Sequence, residues 1–153
     1  MRVLVATDGS RAGGAALKFA SHLVRSRGTG ELIVVTVCPV SPRSIRAGGK
    51  DPRQAVHARR VLAAAARDLR RPESPPARFE MIHSRNADEV PEAISRHADR
   101  VKADLVVVGS EGRESLTEWV VGGTALRLIY VARRPVTVVR APRRRRTRGA
   151  TVL

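Results

Sequence analysis

Three uninterrupted apolar runs govern what this chain can become: Val3-Leu4-Val5-Ala6, Leu32-Ile33-Val34-Val35-Thr36-Val37 and Leu105-Val106-Val107-Val108. None shows the apolar–polar alternation of a strand with one wet face, so each reads as a strand buried on both sides. Turn chemistry follows each one, at Thr7-Asp8-Gly9-Ser10, Cys38-Pro39 and Gly109-Ser110. Between them the spacing becomes helical. Leu17, Phe19, Ala20, Leu23 and Val24 recur at three- and four-residue intervals until Gly28-Thr29-Gly30 stops the helix, and Val61, Leu62, Ala65, Ala66 and Leu69 repeat the pattern before Pro72. Ala93, Ile94, Ala98 and Val101 form a third face behind a cap at Asn86 or Asp88, with Pro91 in the first turn; Thr124 to Leu128, Ile129 and Val131 form a fourth.

Arg78 to His83 alternates, which predicts a half-buried strand near a sheet edge, and Pro135-Val136-Thr137-Val138-Val139 reads as the last strand. The order βαβαβαβαβ predicts an α/β domain: a five-stranded parallel sheet with helices on both faces, Rossmann-like, joined by right-handed crossovers. A length of 153 residues suits one domain, read as 1–141, followed by a basic, disordered tail over 142–153. Pro39 to about Pro52 has no periodicity and reads as a long loop carrying Arg43, Arg46 and Lys50.

A net charge of +15 raises the question of nucleic acid. Six arginines (140, 143–146 and 148) fall in the last 14 residues without an acid, leaving +9 for the rest. Only Lys18, Lys50 and Lys102 are lysines, so arginine dominates throughout and reads as a compositional habit, not a patch. Phe19, Phe79, Trp119 and Tyr130 are dispersed, without the interleaving that base stacking needs. Nucleic acid is therefore disfavoured as a partner. The opening residues reach Asp8 after too few apolar residues for a secretory h-region, and no run approaches a membrane span, so a cytoplasmic location is expected. Cys38 alone makes no disulfide and reads as a small buried hydrophobe. His22, His57, His83 and His97 lack metal-ligand spacing and are expected on the surface or on helix faces, so no metal site is predicted.

In an open parallel sheet a ligand binds outside the carboxyl ends of the strands, where strand order reverses. Gly109-Ser110-Glu111-Gly112 follows one apolar run, and Gly122-Gly123-Thr124 opens the last helix. Glycine admits a close backbone approach, and a helix start offers unpaired N–H groups to phosphate. Each glycine serves equally for a tight strand-to-helix turn. Asp8 has two readings as well, ligand contact or bonding to turn N–H groups. Ser110 has no visible His–acid partner, and Trp119 reads as loop packing.

Taken together, Val-Ala-Thr-Asp-Gly-Ser at 5–10, Ala103 to Ser110, the GxxG-x9-G spacing from Gly109 to Gly122, and Arg134 to Val139 resemble the universal stress protein family over residues 2–140. The resemblance implies an adenine nucleotide alpha hydrolase-like fold and a site for ATP or a related adenine nucleotide, with Mg²⁺ only as its companion. Carried over by motif, Asp8 would meet ribose or adenine, Ala6 and Thr7 would line the base, and Val37 would meet adenine through its backbone. Val108, Gly109, Gly112, Arg113, Gly122, Gly123 and Thr124 would surround the phosphates. The chain departs from the pattern at three points: Gly123 stands where a Ser or Thr is usual, Glu111 brings a negative charge beside the motif, and Ala125 has no hydroxyl.

The resemblance further implies a homodimer through Val136–Val139, whose unpaired edge a second copy would cover. The expected function is a small stress-response regulator whose output is binding; it is not an enzyme beyond slow ATP hydrolysis. The alternative is a member that binds no ATP and acts as a dimeric module for protein or polyanion through its Arg-rich tail. A phosphoacceptor receiver shares the element order but needs clustered acids after the first strand and a Lys after the last, and both are missing here.

Overall fold

Every apolar run becomes a strand in the computed structural model, which describes residues 1–40, 52–111 and 121–142. The strands are β1 (Arg2–Ala6), β2 (Glu31–Pro39), β3 (Ala77–Ser84), β4 (Leu105–Gly109) and β5 (Val136–Val139). All pairings are parallel, in the order β3-β2-β1-β4-β5. Continuous apolar runs belong in the middle of such a sheet, and Val3, Leu4, Val5, Leu32 to Val35, Val106 and Val107 are fully buried there. Arg78–His83 lies in β3 at one edge and β5 takes the other, as the sequence predicts.

The helices are α1 (Arg11–Ser26), α2 (Pro52–Asp68), α3 (Val90–Arg100) and α4 (Gly123–Val131), with a 3₁₀ turn at Ala87–Glu89. Asn86 Oδ1 accepts from Glu89 N–H at 3.0 Å and starts that turn. On one face of the sheet α1 and α2 pack through Ala16, Leu17, Ala20, Val24 and Ala65 on Val3, Val5, Leu32, Val34 and Val107. On the other, α3 and α4 pack through Ala93, Ile94, Ala98, Ala125 and Leu128 on Leu4, Ala6, Ile33, Val35, Val106 and Val108. Small and β-branched side chains do supply the interior.

Two expected core residues lie outside it. Phe19 is 41% exposed and Ile129 is 51% exposed. A helix turns 100° per residue, so once Ala16, Leu17, Ala20 and Val24 face the sheet, Phe19 falls on the flank; Ala125 and Leu128 displace Ile129 in the same way. Residues 41–51, with the loop bases Arg43, Arg46 and Lys50, and the tail from 143 lie outside the described residues. None of the described helices is long and apolar enough to cross a membrane.

Ion pairs among the described residues hold the sheet edge and the α3/α4 layer: Arg2 to Glu31, Arg78 to Glu31 and Glu80, Arg85 to Glu89, Arg127 to Glu92 and Arg134 to Asp99. His97 is buried beneath β3, with Nε2 3.0 Å from Glu80 Oε2 and Nδ1 next to the Arg100 guanidinium. Burial lowers its pKa below the usual histidine value; the Glu80 carboxylate opposes this, and Arg100 and Arg78 add to the depression. Folding thus favours the neutral ring. That contribution is complete above about pH 6.5, the ordinary value, and is lost as pH falls through the lower folded value. Melting temperature should fall between about pH 7.5 and about pH 5.5, and H97Q should flatten that slope. An unchanged slope in H97Q would assign the pH dependence to other groups.

Candidate functional site

Ala6 is paired with Val35 on one side and Val108 on the other. From β1 the sheet grows through β2 to β3 in one direction and through β4 to β5 in the opposite one, so strand order reverses between β1 and β4. Two residues beyond the Val35–Ala6–Val108 line stand Val37, Asp8 and Ser110, at one rim of the sheet.

At the end of β1 the backbone stays tied to β2: Thr7 N–H donates to Val35 O at 3.0 Å, and Thr36 Oγ1 donates to Thr7 O at 2.8 Å. Gly9 then turns the chain with φ +82°, a region open to glycine, and a side chain there would press on Val61. Asp8 Oδ1 accepts from Ser10 N–H at 2.9 Å, and Ser10 Oγ caps α1 by accepting from Gly13 N–H at 3.1 Å. The cap is thus Ser10, and Asp8 takes the turn-bonding role while its carboxylate stays half-exposed at the rim. Thr7, Asp8 and Ser10 oxygens converge on Gly13, where an added Cβ would lie 2.6 to 3.2 Å from them.

Gly109 ends β4 directly under the first turn of α1. A Cβ there would fall 2.6 Å from Ala12 C and 2.8 Å from Gly13 N, which are backbone atoms. Close helix-on-strand packing is therefore what this glycine provides. Beyond it, Ser110 N–H donates to Val139 O at 2.8 Å and Gly122 N–H donates to Ser110 O at 2.6 Å. The excursion between Ser110 and Gly122 therefore leaves and returns at one point of the rim. Ser10 Oγ lies 3.4 Å from Glu111 O, so the turn after β1 meets the loop after β4.

Gly122 occupies the N-cap of α4, with no side-chain cap. Gly123 and Thr124 are exposed in its first turn, and a Cβ on Gly123 would have nothing within 4 Å. Among the described residues no side chain caps the leading N–H groups of α4, the kind of groups that suit an anion.

Of the residues selected from sequence, Asp8, Gly109, Gly122, Gly123 and Thr124 gather at this rim, with Val37 half-buried at the same level on β2. Ala6, Thr7 and Val108 are buried, the first and last with side chains in the α3/α4 core. Gly112, Arg113 and Trp119 lie outside the described residues. Sequence reasoning passed over Ser10, although a Ser before a helical run is a readable capping signal. It also passed over His57, whose Nε2 comes within 3.3 Å of Asp8 O from α2, and for which the sequence gives no signal. Among the described residues no group of three His, Cys, Asp or Glu is placed to hold a metal.

Comparison with known proteins supports the same frame. The model of the universal stress protein family matches residues 1–140. A universal stress protein from Archaeoglobus fulgidus superposes with a TM-score of 0.73 at 26% identity, covering 91% of this chain and 98% of that one. The Archaeoglobus fulgidus protein in complex with dAMP gives 0.69 at 25% identity, covering 91% and 97%. A family protein from Burkholderia pseudomallei gives 0.68 at 26% identity, covering 90% and 94%. A search of curated protein sequences returned no match.

The two motif glycines should respond oppositely to the same change. G109A should lose about 1–3 kcal/mol in urea unfolding, because α1 must shift off β4, whereas G123A should cost nothing measurable. Equal stability of G109A and wild type would contradict the packing role.

Proposed function

Because the chain belongs to the universal stress protein family, we propose that it is a small stress-response regulator that binds an adenine nucleotide across the β1/β4 reversal. Its output is binding, not turnover. One observation carries this reading: the Asp8 carboxylate and the uncapped start of α4 face the same rim, opposite ends of the sequence joined by the Ser10–Glu111 and Gly122–Ser110 contacts. A carboxylate suits the hydroxyls of a ribose, and open helix N–H groups suit phosphate. In this pose the backbone of Val37 meets the base. The similar Archaeoglobus fulgidus protein, solved with dAMP, supports the ligand class.

Charge then sets the preference within that class. Glu111 follows Ser110 at the rim, with its backbone O 3.4 Å from Ser10 Oγ, and in this pose a like charge at short range disfavours each added phosphate unless a cation screens it. ATP is accordingly read as binding with Mg²⁺, and AMP as less dependent on it. Calorimetric titration should show E111R gaining affinity for ATP more than for AMP. G123S should gain for both, since its hydroxyl has room and a phosphate to bond, and D8A should lose. No heat and no thermal shift at about 1 mM ATP or AMP, which would put binding weaker than about −4 kcal/mol, would remove the reading.

We further propose a homodimer through β5. Val136 to Val139 are only half-buried at the sheet edge, and next to them α4 exposes Leu126, Ile129 and Tyr130, the last at 81%. A second copy covers both the strand edge and these side chains. Light scattering at micromolar concentration should give a dimer mass, and L126K/I129K should give a monomer that still melts cooperatively. A monomeric wild type would exclude the arrangement.

A further inference from the structure

The fold sorts charges that look scattered in the sequence. Arg11, Lys18 and Arg25 on α1, and Arg53, Arg60 and Arg67 on α2, recur at intervals of seven residues. Seven residues are nearly two turns, so each trio lines up along one side of its helix. The buried sides are set by Ala16, Leu17, Ala20 and Val24 on α1 and by Ala58, Val61 and Ala65 on α2. At 100° per residue both trios fall opposite those sides, and all six residues are exposed, although Arg11 at the end of its row donates to Pro142 O at 2.6 Å.

The two rows are also neighbours. Helices of successive βαβ units on one face run parallel, with α1 over β1 and β4 and α2 over β2 and β3. The two helices make little direct backbone contact with each other, unlike α3 and α4, so their axes are at least two strand spacings, about 10 Å, apart, and each row is about 21 Å long. Between residues 11 and 28 and between 52 and 73 the only acids are Asp68 and Glu73. The ion pairs described above neutralise cations at the sheet edge and on the α3/α4 layer; among the described residues Lys18, Arg60 and Arg67 pair with no acid.

We propose that the α1/α2 face docks on the phosphate backbone of a double-stranded nucleic acid, without sequence preference. A duplex presents one charge per about 1.7 Å of axis, in phosphate rows separated by grooves about 6 to 12 Å wide. Two cation rows at least about 10 Å apart, on long flexible side chains, can each follow one such row. Five of the six cations are arginines, whose planar fork suits phosphate. The face lacks the aromatic platforms of a single-strand binder. It also lacks a run of large apolar anchors for a bilayer: Phe19 and Val56 are the exposed large hydrophobics on these two helices. This inference is independent of the nucleotide site and of the tail.

The test is anisotropy of labelled duplexes of about 25 base pairs, in two unrelated sequences, titrated with full-length protein over a range of salt. Both duplexes should bind equally, and K18Q/R60Q/R67Q should make the slope of log K against log salt shallower by about 2.7. A fourfold rise in salt would then cost that variant about 40-fold less affinity than wild type. The control R96Q/K102Q/R133Q removes the same charge from exposed positions elsewhere and should leave the slope nearly unchanged. Matching melting curves show that both variants fold. Equal effects of the two triples would reduce the binding to net charge and overturn the proposal. So would binding that vanishes on removal of residues 143–153 while K18Q/R60Q/R67Q has no effect, or absence of duplex binding while phosphatidylserine vesicles bind.

Discussion

The double pairing of β1 is the constraint on which the rest of the molecule depends. Val3 to Ala6 accepts a parallel partner on each side, β2 and β4, and its side chains are buried on both faces. Only a short, wholly apolar strand tolerates that position, because any polar side chain would need a partner in a dry interior. Once β1 is central, the right-handed crossover rule sends α1 and α2 to one face and α3 and α4 to the other. The reversal of strand order, and with it the rim that carries both Asp8 and the start of α4, is then a consequence of topology.

The rim is not equally prepared along its length. At its β1 side the polar groups already serve one another: Asp8 holds Ser10 N–H, Ser10 holds Gly13 N–H, and Thr7 is bonded at both its backbone groups. This web holds the Asp8 carboxylate in place, which would lower the ordering cost of the proposed binding. It also closes the start of α1 as an anion site, since the Ser10 hydroxyl fills that place. The start of α4 has no such cap. Of the helix starts that follow β1 and β4, the first is capped by its own serine and the second has no side-chain cap.

Periodicity made the layers legible: continuous runs gave the central strands, alternation gave β3 its edge place, and the glycine and proline punctuation gave most helix ends. Where several residues fit one helical face, the sequence could not choose among them, and so Phe19 and Ile129 were assigned to a core that smaller neighbours fill. His97 carries no local signal of burial, because the Glu80 beside it belongs to another element. The charge distribution is the clearest case. Read linearly, arginine is everywhere; read on the fold, the ion pairs among the described residues lie at the sheet edge and on the α3/α4 layer, and the seven-residue spacing on α1 and α2 acquires a direction.

The motif glycines show why a matched pattern is weaker evidence for a ligand than its geometry. Gly109 and Gly123 belong to the same stretch of resemblance, yet the first is required by α1, whose backbone leaves no space for a Cβ, and the second is required by nothing among the described residues. A chain that had lost every ligand would still need Gly109. It would be free to vary at Gly123, where alanine would make the better helix. The proposed binding site accordingly rests on the turn at Gly122–Thr124, which shares a rim with Asp8 through the Ser10–Glu111 and Gly122–Ser110 contacts, and a serine at 123 would add a hydroxyl to what the backbone already provides in shape.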